Sequence, residues 1–470
     1  MSIDRPEQPR AAAVALSRRR FLLATVSGGA AVAIGSLLSA CASPQPAASP
    51  TAPAKAVAAA AATAAPQAAP GGFSGGGSLK LLMRSHFVPA FDVWFDKWAT
   101  DWGTKNKVEV QADHILAGSL PPKIAAEVAA GAGHDIYVLT RSADIALYSK
   151  QLLDVSDVAK QFGDKYGGWI PLGEQVGLIE GVWRGLPEYF IDFPSLYRKD
   201  IFDDNGLKPV DTWDDLLKAG TILKAKGNRI GICINQLSND ALNSWHAVLW
   251  CYGATTVAQD GKTVTLNSPQ TKEAVAYGLE LYQKTMTNEV LSWDDNGNNL
   301  LLYSGTGSWI HNPISALRTM EKETPDLAKK IAVGPTPAGP KGRHVPVGTN
   351  SYAIASFAAN PAAAKAFMVD YYQVITEGIK ISEGYNQPFL KDLRKKPMPI
   401  LGEDPRLTIL QDFDQVAHAA GWPGPPNQAA GEAEANFIIP LMMGRVVQDG
   451  DVNGAVDWAT QKLEAIYAKH

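Results

Sequence analysis

Between residues 79 and 139 the apolar positions change repeatedly from one period to the other. Leu79, Leu81, Leu82 and Met83 form a short run suited to a buried strand. Pro89 then opens a segment in which Phe91, Trp94, Phe95, Trp98 and Trp102 recur every three or four residues, which predicts a helix with one aromatic face in the core. A strand over 108–112, a helix over 121–131 and a strand over 135–139 repeat the order. Strands alternating with helices imply parallel pairing, and in such sheets ligands gather at the carboxyl ends of strands. That rule marks Arg84-Ser85-His86 and Thr140-Arg141-Ser142, from which Ser85, His86 and Arg141 are candidate ligand contacts. Two of them also have a local reading, His86 as a cap for the next helix and Arg141 as a surface or packing arginine.

Further along, Thr212 with Asp215 three residues on has the form of a capping box and starts a helix. Ser268-Pro269 starts another, with Ala274, Tyr277, Leu281 and Tyr282 on one face. From Pro361 the stripe is Ala364, Phe367, Met368, Tyr371, Tyr372 and Ile375, and a last helix is expected over 452–469.

The first 78 residues follow neither period. Residues 1–40 end in an uncharged run from Phe21 to Ala40, preceded by Ser17-Arg18-Arg19-Arg20 and followed by Cys41 after Leu38-Ser39-Ala40. Fixed positive charge holds the amino end on the cytoplasmic side while the apolar run enters the bilayer. The order resembles a bacterial twin-arginine signal joined to a lipoprotein box, which implies export, cleavage before Cys41, attachment of lipid (diacylglyceryl and palmitate) to its thiol, and an extracytoplasmic chain anchored on the outer face of the cytoplasmic membrane. An uncleaved membrane anchor is the alternative; the small residues and the terminal Cys favour the signal. Residues 41–78, almost entirely Ala, Pro, Ser, Thr, Gly and Gln, cannot bury a core and are expected to be a disordered tether.

The chain has 470 residues and a formal charge of −4, and the first 40 residues hold five Arg against Asp4 and Glu7, so the remainder is more acidic still. Such a surface does not recruit nucleic acid by charge. Cys233 and Cys251 are expected as buried free thiols rather than a disulfide. No metal-ligand pair, phosphate-binding loop or dinucleotide fingerprint occurs outside the tether, so no cofactor or metal is expected. Asp294-Asp295-Asn296-Gly297 lacks the later ligands of a calcium loop and reads as a solvated turn.

A series of segments carries a wider resemblance: Gly185-Leu186-Pro187, Leu196-Tyr197-Arg198-Lys199-Asp200, Phe202, Gly206-Leu207 and Thr212-Trp213-Asp214-Asp215-Leu216-Leu217. In this order they resemble the extracellular solute-binding proteins of bacterial ATP-driven (ABC) importers, whose members include sugar-binding proteins. The resemblance implies an α/β fold of the two-lobed periplasmic-binding-protein type II, each lobe a mostly parallel sheet flanked by helices, with the ligand cleft between. Lobe 1 would hold 79–190 plus 346–400, and lobe 2 would hold 191–345 plus 401–470. It also implies a monomer without catalytic residues, partnered by export and lipoprotein-processing machinery, by membrane permease subunits, and by a small solute. Thr306-Gly307-Ser308 departs from the family pattern where a Lys and small apolar residues are common.

A sugar offers apolar CH faces and a ring of hydroxyls, so its site needs aromatic plates and side chains that donate and accept hydrogen bonds. Trp309, Trp245 and Trp422 are the candidate plates, each beside polar residues. Glu188, Tyr189, Asp192, Asn243, His311, Asn312, Asn350, Ser351, Tyr385 and Asn386 are the candidate polar partners. Glu188 and Asp192 also admit a surface-anchored glycoside hydrolase, which needs two carboxylates across a bond. On an expected extended segment, however, positions four apart face one side. A sensory or binding module without transport is the third alternative.

Overall fold

The computed structural model describes residues 73–470. The signal segment, Cys41 and the tether as far as residue 72 lie outside the described residues. Strand Ser78–Arg84 sits inside a six-stranded sheet, paired in parallel with Glu109–Ile115 on one side and Ile136–Arg141 on the other. Helix Pro89–Asn106 covers this sheet, with Phe91, Phe95 and Trp102 buried. Phe73, within the expected tether, stacks on Trp102 with ring centroids 6.0 Å apart, so order begins before residue 79. At Gly103 a β-carbon would lie 2.7 Å from the Val108 carbonyl oxygen, which is why the helix can pass so close to the following strand.

The rest of this sheet is antiparallel. Gly348–Ile354 pairs with Ile136–Arg141 and with Leu186–Ile191, and Gln387–Pro388 closes the edge against Leu186–Ile191. The second sheet has four strands in the order Ile331–Gly334, Ser195–Arg198, Gly307–His311, Arg229–Gly231, of which only the last pairing is parallel. Both sheets are therefore mixed rather than mostly parallel, because strands that return from the other lobe enter against the direction of the local ones.

Two large apolar clusters define the lobes. One gathers side chains from Leu79 to Phe193 and from Val345 to Ala419; the other runs from Tyr197 to Trp309 and from Ala429 to Ile466. Leu401, Leu407, Leu410 and Phe413 belong to the first cluster, so the last crossing into lobe 2 falls near residue 420 rather than 401. Phe413 stacks on Phe190 and Asp414 pairs with Arg394, which holds this stretch on lobe 1.

Three crossings join the lobes, at residues 192–194, 335–347 and 419–427. The first two are tied by Ser195 Oγ donating to the Pro335 carbonyl at 2.7 Å and by the Thr336 hydroxyl donating to the Phe193 carbonyl. His344 Nδ1 lies 2.9 Å from His418 Nε2 and ties the second to the third. In lobe 2, helix Asn239–Cys251 runs through the core, buried from Asp240 to Cys251 and started by Ser238, whose hydroxyl accepts from the Asp240 amide. Helix Trp213–Ala225 starts with the expected reciprocal capping box of Thr212 and Asp215. Cys233 and Cys251 are both buried free thiols. Among the described residues no helix is long and apolar enough to cross a membrane.

Candidate functional site

The crossings leave a cleft lined from both lobes. Lobe 1 contributes the carboxyl ends of its parallel strands, with Arg84 closing the first, Phe87 in the turn after it and Thr140 near the end of the third. Ile191 at the end of strand Leu186–Ile191, Phe193 of the first crossing, Gly348 of the returning strand and Tyr385 complete that wall. Lobe 2 contributes the amino end of its central helix through Asn239, Asp240 and Asn243. Asp295, Asn299, Asn312, Pro313 and Ser315 stand beside it.

The polar wall of lobe 2 is tied into a network. Asn298 Nδ2 donates to Asp240 Oδ2 and to Asn312 Oδ1, both at 2.9 Å, and Asn312 Nδ2 donates to Asn299 Oδ1 at 2.7 Å. Asp295 accepts from Ser238 Oγ at 2.7 Å and from the Asp240 amide at 3.3 Å. Its carboxylate thus occupies the helix amino end, where negative charge is favoured. Burial first, and then the neighbouring Asp295, raises the Asp240 pKa well above the usual carboxylate range; burial also raises that of Asp295.

On the facing wall, Arg84 Nη2 reaches the Tyr189 and Tyr385 hydroxyls at 3.3 and 3.4 Å. The guanidinium lies 5.0 Å from the Phe87 ring centroid, and its Nη1 has no partner. Phe87, Phe193 and Tyr385 are the aromatic surfaces of the cleft. These rings and the amides opposite suit a solute with apolar faces and hydroxyl edges.

Of the candidates read from sequence, Asn243, Asn312 and Tyr385 stand in this cleft. Tyr189 lies one step behind it, against Arg84. Ser85 is exposed outside the cleft. His86 is buried below it, its Nε2 3.0 Å from Asn386 Oδ1, and burial and then the Arg84 charge lower its pKa to about 3. Asn386 thereby faces His86 rather than a ligand. Arg141 pairs with Asp144 at 2.8 Å away from the cleft.

Glu188 lies within the lobe 1 core, accepting from the Tyr371 hydroxyl and from Asn350 Nδ2 at 3.3 Å, which also accounts for Asn350. Ser351 is buried on the same strand. Asp192 is buried near Arg394 and Asp414 with neither oxygen partnered, on a segment whose neighbours Ile191 and Phe193 face the cleft. Glu188 and Asp192 therefore both lie outside the cleft, and the carboxylate pair has no bond to straddle.

The three tryptophans are elsewhere too. Trp309 is 0% exposed in a strand buried over its whole length, its ring 6.2 Å from His311 and 6.4 Å from Trp213. His311 contacts Ser244 Oγ at 2.9 Å and Thr336 Oγ1 at 3.2 Å. Trp245 donates its indole N–H to the Cys233 carbonyl at 2.8 Å in the lobe 2 core. Trp422 is half-buried at the third crossing, stacked on His418 at 4.3 Å and His344 at 4.7 Å. The polar neighbours that suggested a wet site are hydrogen-bonded inside the fold: Ser308 Oγ, for one, donates to the Asn228 carbonyl at 3.0 Å.

Sequence reasoning passed over Arg84, Phe87, Thr140, Phe193, Asn239, Asp240, Asp295 and Asn299. The strand-end rule did reach two of the right turns, and in each the residue facing the cleft, Arg84 or Thr140, immediately precedes one that was chosen. Asp295, read as part of a solvated turn, is buried on the cleft wall instead.

A cleft between two α/β lobes joined by three crossings defines a binding protein of the periplasmic type. The chain belongs to the bacterial extracellular solute-binding protein family, whose model matches residues 89–371. Its fold is similar to that of an ABC transporter solute-binding protein from Thermotoga lettingae TMO bound with alpha-D-tagatose, with a TM-score of 0.72 and 18% identity, covering 83% of this chain and 99% of that one. It is likewise similar to one from Agrobacterium radiobacter K84 in complex with ribitol, at TM-score 0.71 and 17% identity over 84% and 99% of the two chains. A sugar transporter from Arthrobacter chlorophenolicus A6 with bound laminaribiose has a TM-score of 0.73 and 16% identity, over 83% and 99%. No curated protein sequence matches significantly.

Proposed function

We propose that this protein is the substrate-binding component of an ABC importer. It captures a small polar solute, a carbohydrate or polyol, between its lobes and delivers it unaltered to a membrane permease. The observation that carries this reading is the cleft itself, lined by lobe 1 aromatics on one side and a tied lobe 2 amide network on the other. A solute touching both walls favours the closed arrangement by its differential affinity, which is how hinge closure is driven. The ligands in the similar structures named above are sugars and a polyol, which supports the same class here. Twin-arginine export and a lipid on Cys41 are part of the proposal and hold the protein outside the cytoplasm beside its permease.

A thermal-shift panel of mono- and oligosaccharides, polyols, uronates and sugar phosphates tests the reading, because a ligand that binds only the folded state raises Tm with concentration. Asn312→Ala is expected to weaken whichever ligand is found. A panel that shifts nothing refutes the assignment.

A further inference from the structure

We propose that the solute taken by this cleft is acidic, a polyhydroxylated compound whose carboxylate or phosphate is held by Arg84. The inference rests on the reading of the cleft as a solute site and names the ligand class within it. Five arginines are buried among the described residues. Four of them pair with a carboxylate: Arg141 with Asp144, Arg198 with Asp200, Arg318 with Glu321 and Arg394 with Asp414. Arg84, 4% exposed, forms no such pair. Its Nη2 has only two long contacts to phenol oxygens, and its Nη1 has none. A desolvated guanidinium without a counter-charge is costly, and its fork of N–H donors fits a carboxylate or phosphate.

The acids on the opposite wall do not supply the missing charge within 4 Å. Asp295 is taken up by Ser238 and the helix amino end, and Asp240 by Asn298. Both acids have hydrogen-bond donors inside lobe 2, whereas the Arg84 guanidinium has no acceptor of opposite charge. A second feature agrees. Helix Ser315–Glu323 opens on the same cleft at Ser315, and its first turn has no side-chain cap, which leaves backbone donors and the positive end of the helix dipole facing the space.

The test uses matched pairs on the unaltered protein, read by calorimetry and thermal shift: glucuronate against glucuronamide, galacturonate against galactose, and glucose 6-phosphate and glycerol 3-phosphate against glucose and glycerol. At least one acid is expected to bind about tenfold or more tightly than its neutral partner, the size of one charge-assisted contact. Comparing the uronates with the phosphates decides which group the site takes. Arg84→Gln is expected to bring the acid-to-neutral ratio close to one, and Arg84→Lys to restore part of it. Equal binding within every pair, or binding of neutral sugars alone, overturns the inference and leaves solute capture standing. No binding by any compound overturns both.

Discussion

Glu188 offers the sharpest test of where the structure puts its carboxylates. Its side chain is 2% exposed, and burial pushes its pKa from 4.5 up to about 7, against the opposing pull of the Tyr371 and Asn350 hydrogen bonds and the Arg84 charge. The native protein therefore keeps this proton to near neutrality, while the unfolded chain releases it near 4.5. Between those two values the native state binds more protons, so stability falls as pH rises through the window. The loss is absent below about 4.5, where both states are protonated, and complete above about 7. A displacement of this size is worth on the order of 3 kcal/mol.

Glu188→Gln keeps an acceptor for the Tyr371 hydroxyl and has no charge to bury. Urea unfolding of both proteins at several pH values from 4.5 to 8 isolates the effect, because other titrating groups cancel in the difference. The stability of the variant relative to the parent is expected to increase by roughly 3 kcal/mol across that range. A difference that stays flat with pH refutes the burial argument. So does a large loss of solute affinity in Glu188→Gln, which would place the carboxylate in the cleft.

Trp309→Ala is expected to lower the unfolding free energy by about 3–5 kcal/mol, as for other buried aromatics, measured by denaturant titration. A variant as stable as the parent that loses its ligand would return Trp309 to the cleft. The Cys233 and Cys251 thiols are expected to resist an aromatic disulfide reagent in the native protein and both to react once unfolded without reductant. Burial raises both thiol pKa values, that of Cys233 to about 12. A Cys233–Cys251 disulfide found by mass spectrometry would contradict this expectation.

Much of the architecture could be read before any coordinates, and the reason is that its signals are local. The Thr212 and Asp215 box, the proline at the start of helix Pro269–Thr285 and the aromatic stripe of Pro89–Asn106 act over one or two turns. The site was less legible because its residues meet only through contacts distant in sequence. Asn299 and Asn312 come from different elements, and Arg84 and Tyr385 are 301 residues apart. Polarity misled in the same way. His311, Asn350 and Glu188 are polar groups that read as ligand contacts, yet each is buried and hydrogen-bonded to other protein side chains.

The sequence by itself determined the α/β alternation and the main helix starts and, through its resemblance to solute-binding proteins, the two-lobed plan and the family; the free thiols of Cys233 and Cys251 are expected there and observed only in the structure. Periodicity, capping and composition are properties of short stretches and survive without knowledge of the rest. Only the tertiary structure decided which side of each turn meets the cleft. It sealed Trp309 and Trp245 in the lobe 2 core and left Arg84 without an acid partner. In a sheet covered by helices on both faces, alternation along a strand carries no information about which face is the wet one. That choice is made by what packs against it.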